Sequence, residues 1–384
     1  MGDNFKMVAK TLFGFEDLLA KELRNLGAID VKKGVRNVSF YGDIGFMYKA
    51  NLCLRTAIKI LKPIKRFKVR NEQDLYDQIY RIAWSKYMNS SDTLAVDATV
   101  FSTKFTHSKF IALKSKDAIV DKFRNTKGER PNVDLDYPDL RINVHIQQHD
   151  CTISLDSSGQ SLHKRGYRSS TNIAPINEVL AAGLVMLSGW DGQCDLLDPM
   201  CGSGTLAIEA AMIACNIPAN INRKEFGFEK WPNFDEELYN KIEESCLNKI
   251  REFHHQIVCY DKAPSAMRKA RENVRNANLA DYISVEHEDF FKTEKTNEGP
   301  LHILFNPPYG ERLPVDVNMF YQQIGDTLKK GYANTNAWFI TSNMEGLKAV
   351  GLRPSRKIKL LNGKLESRLV KYEMYEGSKK AKKQ

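Results

Sequence analysis

Apolar positions along the chain recur first at helical and then at strand spacing. In residues 15–26 (FEDLLAKELRNL), Leu18, Leu19, Leu23 and Leu26 share one helical face and Gly27 follows as a stop. Residues 35–41 (VRNVSFY) alternate as a half-buried strand does. Residues 44–60 predict a second helix, with Leu52, Leu54, Ala57 and Ile58 among its apolar positions. The mixed style continues with a helix over 72–82, a strand over 94–101, a helix over 112–123, and hairpin strands over 140–147 and 151–156. This is an α+β pattern without evident chemistry of its own. From residue 176 the pattern changes to a helix over 176–187, then to alternating strands and helices. That alternation predicts a doubly wound, mostly parallel sheet.

Composition narrows the setting. No stretch approaches the ~20 consecutive apolar residues of a membrane span, and the N-terminal MGDNFKMVAKTLFG lacks an apolar signal core. Seven cysteines (Cys53, Cys151, Cys194, Cys201, Cys215, Cys246 and Cys259) form no Cys-x-x-Cys pair, and His254-His255 has no second ligand pair at metal spacing. The expectation is a cytoplasmic, reduced chain without a metal site or membrane contact.

Net charge is +10, and all of it lies in the first part. Residues 1–170 hold 29 Lys and Arg against 19 Asp and Glu, whereas residues 171–384 hold 28 of each. Lys104, Lys109, Lys114, Lys116, Lys122, Arg124, Lys127 and Arg130 are interleaved with Phe101, Phe105, Phe110 and Phe123. Such a mixture neutralises phosphates and stacks unpaired bases, or is a wet face over a local core. The cationic connector SLHKRGYRSS adds Lys164, Arg165 and Arg168 and marks a domain boundary.

Two motifs carry chemistry. In DLLDPMCGSGTLAIEAA (195–211), a short apolar strand enters a turn where Gly202 and Gly204 let backbone approach a ligand, followed by an Ala-rich helix. NAD, FAD and S-adenosylmethionine sites all use this pattern. A nicotinamide site needs an acid at the end of the next strand, ~20 residues on. Here the next strand is IVCY, ending in Asp261 beyond an insertion at 216–255, and that carboxylate suits two ribose hydroxyls. After the following strand (ISVE), Asp289 and Phe290 suit an adenine amine and its ring. The second motif is LHILFNPPYGERL (301–313). The Asn306 side-chain carbonyl and the Pro307 carbonyl can accept both N–H groups of an exocyclic amine. Pro308 stiffens the loop, and Tyr309 can stack on an extruded base. The aromatics of FGFEKW (226–231) read as local core rather than a base platform.

These motifs in order, followed by LLNGKLESRL (360–369), resemble the THUMP-containing RNA guanine-N2 methyltransferases, over residues 5–376. HSKFIALKSKDAIVDKF and SLDSSGQSLHKRGYR are similar to that family's THUMP domain and linker. The resemblance implies a ferredoxin-like region (1–60), a THUMP RNA-binding domain (61–157), a linker (158–175), a Rossmann-like class I methyltransferase domain with a seven-stranded sheet (176–376) and a disordered basic tail (377–384). It implies S-adenosylmethionine as cofactor, held by Asp198, Met200, Cys201, Gly202, Ser203, Gly204, Thr205, Asp261, Asp289, Phe290 and Asn306. Asn177 and Glu178 match the part that closes over it. Asn306, Pro307, Pro308 and Tyr309 match the catalytic loop. Long members of the family carry a second methyltransferase domain; no second glycine motif occurs here, so only the N2 activity is expected. The expected substrate is 23S rRNA, with tRNA as the alternative. DNA adenine or protein glutamine methylation and a non-catalytic RNA-binding role fit less of the sequence.

Overall fold

The computed structural model describes residues 3–169, 175–296, 298–310 and 316–376. The basic tail at 377–384, the connector residues 170–174, and residues 311–315 after the N-P-P-Y segment lie outside the described residues. No helix among the described residues is long and apolar enough to cross a membrane. Two compact units divide the chain.

The first unit comprises Met1–Thr11, Leu19–Lys164 and Arg223–Ser245. In chain order its elements begin with β1 (Phe5–Thr11), α1 (Glu16–Leu26), β2 (Ile29–Gly34), β3 (Asn37–Gly42), α2 (Ile44–Cys53) and β4 (Ala57–Lys68). They continue with α3 (Glu72–Tyr80), β5 (Thr93–Phe101), α4 (Ser108–Lys127), β6 (Asn132–Val133), β7 (Leu140–Gln147) and β8 (Asp150–Asp156). The eight strands form one sheet in the order β2-β3-β1-β4-β8-β7-β5-β6.

The helix expected over 44–60 is corrected here. It stops at Cys53, and Ala57 begins a strand. The backbone N–H groups of Arg55 and Thr56 turn away to the Glu22 carboxylate, at 2.7 and 3.0 Å, so they make no helical bond. Residues after them pair with β1 (Ala9 opposite Ile60) and with β8 (Leu61 opposite Asp156). Pairing on both sides overrides a helical apolar pattern. The same strand runs across residue 60, the boundary expected between the first two domains, so the strands on either side of it share one continuous ladder.

The second unit comprises Leu12–Leu18, Arg165–Asn222 and Cys246–Gln384. Its elements are α5 (Glu178–Ser188), β9 (Asp195–Asp198) and α6 (Thr205–Ala214), then, after α7 (Glu236–Leu247), β10 (Ile257–Tyr260), α8 (Pro264–Asn276), β11 (Ile283–Glu286) and β12 (Leu301–Phe305). It ends with α9 (Val317–Gly331), β13 (Thr335–Thr341), α10 (Met344–Ala349), β14 (Arg356–Asn362) and β15 (Leu365–Glu373). The seven strands are ordered β11-β10-β9-β12-β13-β15-β14. Neighbours from β11 to β13 are parallel; β15 is antiparallel to both β13 and β14. Leu197, Ile303, Phe305 and Phe339 fill the core of this sheet.

The segment 223–245 groups with the first unit, although the sequence reading places it within 176–376. Its aromatics explain this. Phe226, Phe228 and Trp231 are buried. The Phe228 ring stacks on Tyr48 of α2 at 4.4 Å between centroids, and on Phe226 at 5.3 Å. FGFEKW is core, as its residue types predict.

Candidate active site

The chain winds from β9 outwards through β10 to β11, then returns to the other side of β9 with β12 and β13. In a doubly wound sheet that reversal opens a crevice at the carboxyl ends of the strands. Four of the residues predicted from sequence lie at such ends. Asp198 ends β9, Asp261 follows β10, Asp289 follows β11 and Asn306 follows β12. The topology therefore lines up on one sheet edge residues that lie up to 108 positions apart in the sequence, from Asp198 to Asn306.

The glycine loop is built around its own carboxylates. Gly202 and Gly204 have φ of 57° and 78°, a left-handed backbone that side chains disfavour. A Cβ on Gly204 would sit 3.3 Å from the Ala270 Cβ of α8. Met200 N donates to Asp198 Oδ1 at 3.3 Å, Cys201 N to the Tyr260 carbonyl at 2.9 Å, and Gly202 N to Asp261 Oδ2 at 3.0 Å. Asp261 Oδ1 also accepts from Ala263 N at 2.8 Å. Asp261 thus braces the loop from the neighbouring strand.

Asp198 is 1% exposed, and among the described residues its Oδ2 has no hydrogen-bond partner. Burial pushes its carboxyl up to about 8; the Met200 N–H opposes this and the Asp261 charge adds to it. Glu178 is also buried, and among the described residues its Oε2 has no hydrogen-bond partner. Burial raises its carboxyl to about 7, against the pull of Arg168, whose Nε lies 3.4 Å from Oε1. Two buried acids with spare acceptor atoms flank the loop.

Other predicted cofactor residues take structural posts. Asn177 caps α5, its Oδ1 accepting from Val179 N and Leu180 N at 3.0 and 3.2 Å. The Cys201 thiol hydrogen-bonds Cys259, which with burial pushes it well above the usual thiol range. Ser203 Oγ lies 3.3 Å from Thr205 Oγ1. Asp289 caps the turn after it, accepting from Phe291 N at 3.2 Å. The adenine platform expected at Phe290 is corrected: the ring is 2% exposed, packed between Phe305 and Tyr332.

At the end of β12, Pro307 is buried, Pro308 exposed, and Asn306 and Tyr309 are intermediate. Tyr309 OH donates to Asn306 Oδ1 at 2.6 Å and accepts from Asn362 Nδ2 at 3.1 Å. Asn343 Nδ2 donates to the Tyr309 carbonyl at 2.9 Å, and Tyr321 OH to the Pro308 carbonyl at 3.4 Å. The loop is therefore held from α9, from the start of α10 and from β14.

The basic residues divide. Lys104, Lys109, Arg124, Lys127, Arg130 and Lys164 are exposed. Lys114 and Lys122 are half-buried over the rings of Tyr76 and Tyr80, at 4.8 and 5.0 Å, and Lys116 pairs with Asp117. Phe105 and Phe123 are core, whereas Phe101 and Phe110 are exposed by 62% and 50%. Two phosphate contacts expected from sequence are corrected. Arg165 is 1% exposed, with Nε 3.3 Å from Glu209 Oε1 and Nη1 3.2 Å from Asn220 Oδ1. Arg168 Nη2 donates to Thr205 Oγ1 at 2.7 Å and to the Ile176 carbonyl at 3.1 Å. Both serve the second unit's interior. Sequence reasoning missed the support given by Arg168, Asn343 and Asn362; the Asn362-Gly363 dipeptide between two strand patterns was the one available signal.

Comparison with known proteins divides the chain into three domains. Residues 165–371 match the profile of the RMKL-like methyltransferase domain, residues 69–156 the THUMP domain, and residues 6–61 the RlmL ferredoxin-like domain. The chain is 38% identical over 383 residues to "Ribosomal RNA large subunit methyltransferase K/L" of Syntrophotalea carbinolica, covering 97% of this chain and 54% of that one. It is 37% identical to "Putative RNA methyltransferase slr0064" of Synechocystis, covering 94% of this chain and 95% of that one. The chain thus spans about half the length of the K/L relative. The crystal structure of "SMU.472, a putative methyltransferase complexed with SAH" superposes with a TM-score of 0.86 at 30% identity, covering 98% of this chain and 100% of the other.

Proposed function

The chain belongs to the RMKL-like methyltransferase family, and from that premise we propose that it transfers a methyl group from S-adenosylmethionine to the exocyclic N2 amine of a guanine in large-subunit rRNA. The observation that carries this reading is the position of Asn306-Pro307-Pro308-Tyr309 at the end of β12, beside the strand that feeds the glycine loop. The residues fit the cofactor. Two buried carboxylates, Asp198 and Glu178, have acceptor oxygens without donors, and the cofactor's ammonium and ribose hydroxyls are donors. Asp198 to Thr205, with Asp261 and Asp289, would hold it, with Glu178 closing the side. When bound, the cofactor supplies an electrophilic methyl group on a positively charged sulfur.

The rest falls to the chain's own residues. A guanine amine is a poor nucleophile because its lone pair is delocalised into the ring. Asn306 Oδ1 and the Pro307 carbonyl accept its two N–H groups, aim the lone pair and stabilise the positive charge that develops. The amine's proton then leaves to solvent, and no strong base is needed. Tyr309 stacks on the extruded base. Exposed Lys104, Lys109, Arg124, Lys127, Arg130 and Lys164 dock the phosphates, with Phe101 and Phe110 among them. The K/L relative's name supports rRNA, the Synechocystis name supports RNA, and SAH in the structural neighbour supports the cofactor.

Transfer of a tritiated methyl group to rRNA, tRNA, DNA and protein tests the reading. Label is expected in rRNA. Label confined to tRNA contradicts the substrate, and label in DNA or protein contradicts the reaction. Asn306→Ala is expected to slow transfer by about 10²-fold or more, the scale of one lost transition-state hydrogen bond in such sites, with cofactor affinity retained.

A further inference from the structure

The hairpin β14–β15 carries LLNGKLESRL, and the proposed chemistry leaves that segment without a task. Asn362 pairs with Leu365 across a turn of two residues. Gly363 is the first of them, with a φ of 63°, the conformation a tight hairpin requires of glycine at that position. The turn fixes the end of β14, and the Asn362 side chain there reaches Tyr309.

The three side chains form a relay of one polarity. Asn362 Nδ2 donates to the Tyr309 hydroxyl, and that hydroxyl donates to Asn306 Oδ1. Burial pushes the Tyr309 phenol well above its ordinary range, so it keeps its proton and stays a donor. A phenol has one proton. With Asn362 supplying a donor from behind, that proton is directed at Asn306. A carbonyl oxygen has two acceptor sites, so one remains for an incoming amine. The hydrogen bond also holds the amide plane and keeps its oxygen, not its NH₂, at the end where the amine must arrive. The main chain of Tyr309 is held independently by Asn343, so the ring has little freedom to drift.

We propose that Asn362 is a positioning residue for methyl transfer: through the Tyr309 hydroxyl it sets the orientation of the Asn306 carbonyl that receives the target amine. This rests on the reading of Asn306 as the amine's acceptor. The role assigned to Asn362 is exerted through the Tyr309 hydroxyl, which its side chain bonds, and involves no contact of its own with substrate or cofactor. Its effect therefore belongs to the rate of transfer and passes through Tyr309.

Single-turnover transfer rates, cofactor and RNA affinities and melting temperatures test this on the full chain, for N362A, N362D, Y309F, N306A and the doubles of Y309F with N362A and N362D. N362A is expected to slow transfer about tenfold, the weight of one hydrogen bond, with both affinities within about twofold of wild type. N362D is expected to be slower still, because a carboxylate accepts the phenol's proton and draws it off Asn306. In the Y309F background neither change is expected to slow transfer further. A wild-type rate in N362A, or equal losses with and without the Tyr309 hydroxyl, overturns the inference. If N362A fails to fold, the near-isosteric N362D decides it by the same comparison. If N306A itself transfers at the wild-type rate, the reading of the loop fails and takes this inference with it.

Discussion

Asp198 sits at the end of β9 with one oxygen bonded to the loop and the other without a donor. Its carboxyl, pushed up to about 8 by burial, keeps its proton in the folded chain where an unfolded aspartate, with a pKa of ~4, has lost it. The folded state therefore binds more protons between these values, and this group's contribution to stability falls as pH rises through the window. A cationic ligand reverses the preference by favouring the charged carboxylate. Cofactor binding at pH 7 is expected to release protons, and its affinity to tighten from pH 6 to 8. Calorimetry in buffers of different ionisation enthalpy reads the release directly. It should fall in Asp198→Asn to the share that Glu178, with its carboxyl at about 7, still releases; undiminished proton release there would assign it to another group. Asp198, Asp261 and Asn306 were legible because each follows a short apolar strand. Phe290 was misread because an aromatic beside a loop acid looks the same whether it faces a ligand or the core. Asn343 and Asn362 were invisible because they act on Tyr309 from 34 and 53 residues away.

The connector after residue 160 shows the same problem for a whole element. Its cationic sequence resembles a phosphate-binding stretch, but two of its arginines are consumed inside the second unit. Arg165 and Glu209 are both fully buried, and Tyr167 OH donates to Glu209 at 3.0 Å. Removing the cation leaves a carboxylate uncompensated in the interior. Arg165→Ala is expected to cost about 3–5 kcal/mol of stability, measured by urea unfolding. A phosphate-contact role predicts the opposite pattern, with unchanged stability and weaker RNA binding. Helix α1 and the strands β7 and β8 were legible from spacing alone. The second half of the expected helix at 44–60 was not, since only its ladders on both sides make it a strand.

For the whole molecule, the charge split gives a division of labour: the surplus of +10 lies in residues 1–170, and the chemistry-bearing strand ends lie in the neutral remainder. The two units do not part at residue 170, however, because 223–245 belongs with the first unit and 12–18 with the second. Nothing in the spacing of FGFEKW announces which core it joins. A fragment of 171–384 therefore carries the buried Phe226, Phe228 and Trp231 without Tyr48, on whose ring Phe228 stacks. It is expected to aggregate or bind a hydrophobic dye, as exposed aromatic surface does. A monomeric fragment melting like the full chain would contradict this. In the full chain, replacing Lys104, Lys109 and Lys127 by Glu is expected to weaken RNA binding and flatten its salt dependence while cofactor affinity holds. The claim on which everything else depends is that the end of β12 presents a guanine amine to the methyl donor. Nucleoside mass spectrometry of rRNA methylated by the purified protein tests it most directly. The predicted product is N2-methylguanosine, absent when Asn306→Ala is used; a methyl group on adenine, on a ring nitrogen or on ribose would contradict the account.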